Sequence, residues 1–200
     1  MIAIIDYGMG NLRSVQKAFE NLGYRAVITE DRKTVLSAES VVLPGVGAIS
    51  DAMHRLALNG MDKVIVEVVN QNKPFLGICL GMQLLFDKSH EGGLFEGFKI
   101  ISGEVVRLQS NSGLKVPHMG WNSLSFKNDP LFHGLSESVY VYFVHSYYVD
   151  NSIEGIIATT NYGVDIVAAV RNNNVCGVQF HPEKSGDVGL KILNNFGRMK

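Results

Sequence analysis

The sequence predicts an α/β protein whose central sheet is mostly parallel, with helices on both faces. In the first half, short apolar runs alternate with helical patterns, which is typical of such sheets. The second half consists mainly of strand patterns with little helix between them, which favours a β-rich extension. The 200 residues suit a single core, so we expect one domain over residues 1–200.

The first half opens with a strand over 2–6 and the turn Tyr7-Gly8-Met9-Gly10. Asn11 is the expected N-cap of a helix that Gly23 closes. Strands are then predicted over 25–29, 40–43 and 75–78, with a helical region over 48–70 broken at 59–60 and a helical pattern over 82–86. Ligands bind beyond the carboxyl ends of parallel strands, so the loops after Asp6, Leu43 and Ile78 should share one edge.

The second half yields strands with few helical signals. They are predicted over 99–108, 122–126, 139–149, 155–159, 166–170 and 175–180, with a hairpin turn at 172–174 and a final helix over 187–197. No internal repeat or linker interrupts them.

The composition excludes several classes of function. A formal net charge of −1 gives no electrostatic reason to expect a nucleic acid or a membrane surface as partner. The N-terminus lacks the basic leader and apolar length of a signal peptide, and no apolar stretch approaches a bilayer span. The two cysteines, Cys79 and Cys176, form no disulfide framework, so a cytoplasmic location is expected.

Cys79 is the first candidate for chemistry. It lies between Gly77 and Gly81, where a predicted strand passes into a helical pattern. A helix N-terminus stabilises a thiolate, and flanking glycines allow the sharp turn of a nucleophile elbow. The competing interpretation is a buried structural cysteine.

His181-Pro182-Glu183 could supply the base for this thiol. A thiol nucleophile needs a base, and the base needs an orienting partner that meets it in space. His181 can take the first role and Glu183 the second. We therefore predict a Cys79–His181–Glu183 triad.

An oxyanion hole would complete such a site. The amide of Leu80 follows the nucleophile directly, and the amides of Val46 and Gly47 lie in a strand-exit loop on the same predicted edge. A nucleotide-binding interpretation of Gly8-Met9-Gly10 is rejected, because Arg13 stands where the third glycine of the fingerprint belongs. Nothing here has metal-ligand spacing, and no organic cofactor is implied.

Two motifs resemble the signatures of class I (triad) glutamine amidotransferases. They are Gly-Ile-Cys-Leu-Gly-Met-Gln-Leu-Leu at 77–85 and Gln-Phe-His-Pro-Glu-Lys at 179–184. The resemblance covers essentially the whole chain and implies a flavodoxin-like fold. It also implies that Cys79 forms a glutamyl thioester, that His181 transfers protons and that Glu183 holds His181.

The resemblance implies further site residues. Gln83 would seat the glutamine substrate, Glu91 would contact it, and the backbone of His145, Ser146 and Tyr147 would receive its α-carboxylate and amine. The competing interpretation of Gln83 is a helix-surface residue.

Stretches 5–14, 117–122 and 142–147 narrow the resemblance to glutaminase subunits that pass ammonia to a (β/α)8-barrel cyclase in histidine biosynthesis. This implies a heterodimer. The residues expected at the partner interface or ammonia exit are Asn11, His118, Trp121, Asn122, Tyr142 and Lys184. From sequence alone, Trp121 could instead be a core anchor.

Three alternatives stay open from the sequence. A glutaminase of pyridoxal phosphate synthase or the small subunit of anthranilate synthase would share the triad but differ in the stretches just named. A partner-independent cysteine amidohydrolase would share Cys79 and His181. A catalytically silent binding module should have lost part of the triad.

Overall fold

The computed structural model describes residues 1–109 and 114–199. The strands are β1 Ile2–Ile5, β2 Ala26–Thr29, β3 Ser40–Gly45, β4 Phe75–Cys79, β5 Phe86–Ser89, β6 Phe95–Glu96, β7 Ile101–Arg107, β8 His118–Phe126, β9 Val139–His145, β10 Tyr147–Val149, β11 Ile156–Asn161, β12 Asp165–Asn172 and β13 Val175–Val178. The α-helices are α1 Leu12–Asn21, α2 Arg32–Ser37, α3 Ile49–Leu58, α4 Met61–Asn70, α5 Leu80–Gln83 and α6 Gly186–Gly197. Short 3-10 helices cover Pro130–Phe132 and Pro182–Lys184.

Within the described residues, a nine-stranded sheet runs in the order β2-β1-β3-β4-β13-β12-β11-β8-β9. In this order, each pair of neighbouring strands from β2 to β13 is parallel, and each pair from β13 to β9 is antiparallel. The predicted α/β class is confirmed, and the β-rich second half continues the same sheet. Because β1, β3 and β4 are neighbours, the loops that follow them meet at one edge, as expected.

Strand β4 is buried on both faces. Leu76 and Ile78 belong to the core cluster on the side of α1 and α6, whereas Phe75 belongs to the cluster on the side of α3 and α4. A strand with helices on both sides has no solvent face, which explains its continuous apolar run. This packing holds the C-terminal end of β4, and with it Cys79, at the centre of the sheet edge.

Several elements differ from the sequence-based expectations. Helix α2 was not predicted, although Asp31 provides a capping signal: its carboxylate accepts from the Thr34 amide at 2.8 Å. The helical pattern over 82–86 was wrong, since α5 ends at Gln83 and Phe86 begins β5. The backbone amides of residues 98–101 donate hydrogen bonds to the carbonyls of residues 84–86, so tertiary pairing overrides the apolar helical spacing.

The predicted strand over 139–149 serves two sheets. It divides at Ser146 into β9, an edge of the nine-stranded sheet, and β10, which pairs with β7 in a four-stranded sheet of order β10-β7-β5-β6. The hairpin predicted at 172–174 is confirmed between β12 and β13, with Asn173 at φ +53°. Asn11 precedes α1 as expected, but its side chain makes no capping hydrogen bond.

No helix in the described part of the chain is long and apolar enough to span a membrane.

Candidate active site

Cys79 lies at the junction of β4 and α5 in a backbone conformation that side chains rarely adopt. Its φ and ψ are +54° and −111°, so the surrounding packing must hold it there. A Cβ at Gly81 would overlap the carbonyl oxygen of Leu43, and one at Gly77 would overlap that of Gly81. The two glycines therefore allow β3, β4 and α5 to approach closely, and the corner presents the thiol at the sheet edge.

His181 follows β13, the strand beside β4, and is paired with Glu183. Its Nδ1 lies 2.9 Å from Glu183 Oε1, and both side chains are almost fully buried. Burial lowers the pKa of His181, but the neighbouring Cys79 and Glu183 outweigh it and raise the pKa to about 9. The imidazole is therefore held as a cation beside the thiol at neutral pH.

The His181 loop is anchored to strand β9. The amide of His181 donates to the Tyr142 carbonyl at 2.9 Å. Ser185 Oγ donates to the His181 carbonyl at 2.7 Å and accepts from the Tyr142 amide at 2.9 Å. These bonds fix the backbone from which the imidazole projects.

A cavity of about 330 Å³ adjoins the thiol. Its lining brings together two of the three predicted triad members, Cys79 and His181, with all of the predicted oxyanion and substrate residues. Its lining also includes Pro117 and Val144, which sequence reasoning did not single out. The full lining is Val46, Gly47, Cys79, Leu80, Gln83, Glu91, Pro117, Val144, His145, Ser146, Tyr147 and His181.

Gln83 and Glu91 are held by bonds to the protein itself. Gln83 is 6% exposed, and its Nε2 donates to the Tyr147 carbonyl at 3.0 Å and to Gln179 Oε1 at 2.8 Å. This excludes the helix-surface interpretation of Gln83. Glu91 Oε2 accepts from the Ile49 amide at 3.0 Å, and burial raises the pKa of the Glu91 carboxyl.

His145 is joined to His118 in a pair of neutral imidazoles. His145 Nδ1 lies 2.9 Å from the Tyr147 carbonyl, and its Nε2 lies 2.9 Å from His118 Nδ1. Burial, reinforced by His118, lowers the pKa of His145 to about 3, and burial lowers that of His118 to about 4. Because a carbonyl only accepts, His145 donates from Nδ1, and His118 then donates from its own Nδ1 to His145 Nε2.

The expectation that the His118 side chain contacts a partner is corrected. His118 is 3% exposed and lies between the rings of Phe143 and Tyr162. Side chains alternate along β8, so His118 and Asn122 point to the face opposite Trp121. Asn122 is also used internally, since its Nδ2 donates to the Asn161 carbonyl at 2.9 Å and lies 3.3 Å from His118 Nε2.

The other face of β8 and β9 carries exposed apolar side chains. Met119, Trp121 and Tyr140 are 62%, 57% and 57% exposed, and Trp121 is paired with Tyr142 across the strands. We call Met119, Trp121, Tyr140 and Tyr142 the exposed apolar face. Because more than half of Trp121 is exposed, the core-anchor interpretation of this residue is wrong.

Lys184 follows the triad glutamate in the chain, and its Nζ lies 5.9 Å from the centre of the Tyr142 ring.

Gln179 and Tyr7 are two buried neighbours of Cys79 that sequence reasoning missed. Gln179 Nε2 lies 3.7 Å from Cys79 Sγ. Tyr7 donates to the Pro44 carbonyl at 3.1 Å, and burial followed by the charge of Cys79 raises its pKa. An amide within the otherwise apolar run 175–180 was the available signal for Gln179.

The described residues contain no group of three His, Cys, Asp or Glu side chains placed to hold a metal ion. Cys79 and Cys176 are both free and buried. Burial raises the pKa of Cys176 to about 12, so this second thiol is neutral.

Comparisons with known proteins agree with this geometry. The family model for glutamine amidotransferase class-I matches residues 3–199. Two solved structures share the fold: a glutamine amidotransferase with TM-score 0.76, 19% identity and coverage of 98% of this chain and 100% of that chain, and PurLQS from Thermotoga maritima with TM-score 0.74, 19% identity and coverage of 98% and 96%. The fold and the cavity thus define a class I glutamine amidotransferase.

Full-length relatives narrow the class. The chain is 56% identical to imidazole glycerol phosphate synthase subunit HisH of Caldanaerobacter subterraneus subsp. tengcongensis, covering 100% of this chain and 98% of the relative. It is 53% identical to the protein of that name from Geobacter metallireducens, with coverage of 100% and 98%, and 52% identical to that from Methanosarcina barkeri, with coverage of 98% and 96%. The chain belongs to the class I glutamine amidotransferase family and, within it, to the HisH subunits.

Proposed function

We propose that this chain is the glutaminase subunit of an imidazole glycerol phosphate synthase and that Cys79, His181 and Glu183 hydrolyse L-glutamine. One observation carries the proposal: the strained corner at Cys79 opens into the same cavity as His181, which is paired with Glu183 behind it. The name that the full-length relatives share favours this synthase over other class I amidotransferases. We treat residues 1–200 as one catalytic domain.

In the first half-reaction, the Cys79 thiolate attacks the side-chain carbonyl carbon of glutamine. The oxygen of the tetrahedral intermediate is stabilised by backbone amides, for which Leu80 and the Val46-Gly47 loop are the candidates. The carbon–nitrogen bond then breaks while His181 gives its proton to the departing nitrogen. The products are ammonia and a glutamyl thioester. A His181 pKa of about 9 suits this step, because the imidazole is already protonated.

In the second half-reaction, water hydrolyses the thioester. The thiolate no longer exists at this stage, so its contribution to raising the pKa of His181 is lost, while burial still lowers that pKa. The neutral imidazole that results can take a proton from the attacking water, and Glu183 holds it at Nδ1. Collapse of the intermediate releases glutamate and restores the Cys79 thiolate beside the protonated His181.

The substrate is a small zwitterion, so a few polar groups suffice to bind it. The carbonyls of Ser146 and Tyr147 already accept bonds, from the Leu108 amide at 2.9 Å and from Gln83 at 3.0 Å. This segment would therefore hold the α-carboxylate through its N–H and hydroxyl groups. Both hydrogens of the Gln83 amide are also used, which leaves Gln83 Oε1 and the Glu91 carboxylate for the substrate ammonium.

The partner in this proposal is HisF, a (β/α)8-barrel cyclase. HisF would combine the ammonia with PRFAR to give imidazole glycerol phosphate and AICAR in L-histidine biosynthesis. The exposed apolar face supports this assignment, because exposed aromatic side chains are characteristic interface anchors. Asn11 would lie at the rim of the interface, and Lys184 beside Tyr142 at the ammonia exit. The heterodimer would act in the cytoplasm without a cofactor, metal, nucleic acid or membrane.

Replacing Cys79 tests the proposal. In a complex copurified with a barrel cyclase, Cys79→Ala should abolish PRFAR turnover driven by glutamine, because no thioester can form. The same complex should still use added ammonium salt, which controls for folding and assembly. Product formation measured with each nitrogen source decides the matter: glutamine-driven turnover near the wild-type rate in Cys79→Ala would refute the nucleophile assignment.

A further inference from the structure

Gln179 presents a side-chain amide to the sulfur of Cys79 from inside the core. It is 0% exposed and follows β13, the strand that pairs with β4. Its Nε2 lies 3.7 Å from Cys79 Sγ, and its Oε1 lies 2.8 Å from Gln83 Nε2. Buried amides are held in place by such partners, so both ends of this side chain are defined.

The direction of the Gln179 amide follows from a group that cannot be reversed. The Tyr147 carbonyl only accepts, so the end of Gln83 that lies 3.0 Å from it must be the nitrogen, Nε2. The same nitrogen lies 2.8 Å from Gln179, which must therefore offer its oxygen there. The remaining end of Gln179, the NH2 group, is then the end that approaches Cys79.

The Tyr147 carbonyl is itself held from a second side. His145 Nδ1 donates to it at 2.9 Å, and His118 supports His145 at 2.9 Å. Burial holds both imidazoles neutral, so neither competes as a charge with the thiolate. The Tyr147 carbonyl thus accepts one bond from Gln83 and one from His145. These two bonds fix its position, and its position in turn sets the orientation of the side-chain amides of Gln83 and Gln179.

An N–H donor directed at sulfur stabilises a thiolate more than a thiol, because hydrogen bonds to ionised acceptors are the stronger ones. We infer that Gln179 is a further catalytic residue, whose side-chain amide donates to Cys79 Sγ and stabilises the nucleophile, and that Gln83 and the Tyr147 carbonyl position it. The inference rests on the proposed role of Cys79. It gives Gln83 a second task besides substrate binding.

Alkylation of Cys79 tests this inference without any substrate. Gln179→Met has a similar length and no N–H donor. In the full chain, the rate of Cys79 alkylation by iodoacetamide at neutral pH should fall about tenfold, and the curve of rate against pH should move to higher pH. Mass spectrometry of the Cys79 peptide separates this thiol from Cys176. A Gln179→Met profile that superimposes on the wild-type profile would overturn the inference.

A matched control separates this effect from general destabilisation. Asn195 is also a buried amide, and its Nδ2 donates to the carbonyls of Leu131 and His133 at 3.0 and 2.9 Å in another part of the core. Asn195→Leu should lower thermal stability and leave the Cys79 alkylation profile unchanged. A profile that moves equally in both variants would assign Gln179 a structural role only.

The wild-type protein offers a second measurement in case Gln179→Met does not fold. The NMR signals of the Gln179 side-chain NH2 group should shift with pH as Cys79 ionises. In Cys79→Ser, His181 still titrates but the thiol is absent, so this component should vanish. Signals that respond to pH identically in both proteins would overturn the inference. The Cys79→Ala assay tests the nucleophile itself, so the two proposals fail separately.

Discussion

The two walls of the cavity around Cys79 are held by different kinds of interaction. The first half of the chain supplies the corner of β4 and α5, where backbone groups pack so closely that Gly77 and Gly81 admit no Cβ. The second half supplies a wall of hydrogen-bonded side chains that includes His145 and has Gln179 behind it in the core. The first wall fixes where the sulfur lies, and the second fixes which protons and dipoles surround it.

The difference shows how each wall should respond to substitution. A packed corner is sensitive to volume, because a methyl group that overlaps backbone moves the backbone itself. A hydrogen-bonded wall tolerates little change of polarity but is less sensitive to shape, because one unpaired buried group costs about 1–3 kcal/mol. Isosteric substitutions should therefore affect the second wall most, and small additions of volume the first.

Glu183→Gln should have the largest effect, although it leaves the shape of the site unchanged. The amide would offer an N–H to His181 Nδ1, so the imidazole would lose its charged partner and adopt the wrong tautomer. Changes of this kind in a triad lower kcat by about 10⁴-fold. Glutaminase turnover in the complex is the measurement, and ammonium-driven synthesis is the control. A loss below tenfold would show that Glu183 does not orient the base.

The raised pKa of His181, to which Cys79 contributes more than Glu183, predicts a pH dependence of stability. The pKa of His181 is raised from 6.5 to about 9 in the folded chain, so its protonated form stabilises the fold fully below pH 6.5. This stabilisation is lost as the pH rises from 6.5 to about 9, by up to ~1.4 kcal/mol per pH unit. Urea unfolding across this range should show the decline in the wild type and a flatter curve in Glu183→Gln. Parallel curves would show that Glu183 does not contribute to the raised pKa.

Gly81→Ala tests the packed corner with one added methyl group. Its Cβ would overlap the Leu43 carbonyl oxygen, so β3 and α5 must separate and the thiol must move. A displacement of about 1 Å can lower activity about 10²-fold. Glutaminase activity and thermal stability should both fall. Gly23→Ala is the control: it adds the same group at a positive φ in open space, so it should lower stability without changing activity.

How well the sequence predicts each wall depends on how far apart in the chain the residues that form it lie. The corner lies within Gly77–Gly81, and Glu183 is two residues from His181, so local motifs predict both. The same holds for strands β1 to β4 and for helices α1, α3 and α4 of the first half. By contrast, the bond from Gln83 to the Tyr147 carbonyl joins residues 64 positions apart, and that from Gln83 to Gln179 joins residues 96 apart. No local pattern encodes such pairs.

The errors in the predicted fold have the same origin. The pattern over 82–86 is helical in spacing, yet the chain continues into β5. The reason is that the amides of residues 98–101 donate hydrogen bonds to the carbonyls of residues 84–86. His118 was expected at the interface from a motif, but strand alternation turns it away from Trp121 into the core. A motif fixes which residues lie together in sequence, whereas β pairing decides which face each one occupies.

His118→Phe should have the smallest effect, because it changes the far end of the hydrogen-bonded wall. Phenylalanine can keep the stacking between Phe143 and Tyr162, but it removes the donor to His145 Nε2 and the acceptor that faces Asn122. We expect a stability loss of about 1–3 kcal/mol. Glutaminase kcat should fall about fivefold, since ~1 kcal/mol of lost positioning corresponds to that factor.

Tyr162→Phe provides the matched comparison. It keeps the ring on His118 and removes only the hydroxyl, which donates to the Lys115 carbonyl at 2.9 Å, so the bonds from His118 to Tyr147 stay intact. Its kcat should remain near that of the wild type. Equal losses in the two variants would mean that the bond from His118 to His145 does not position this wall, because only His118→Phe removes that bond.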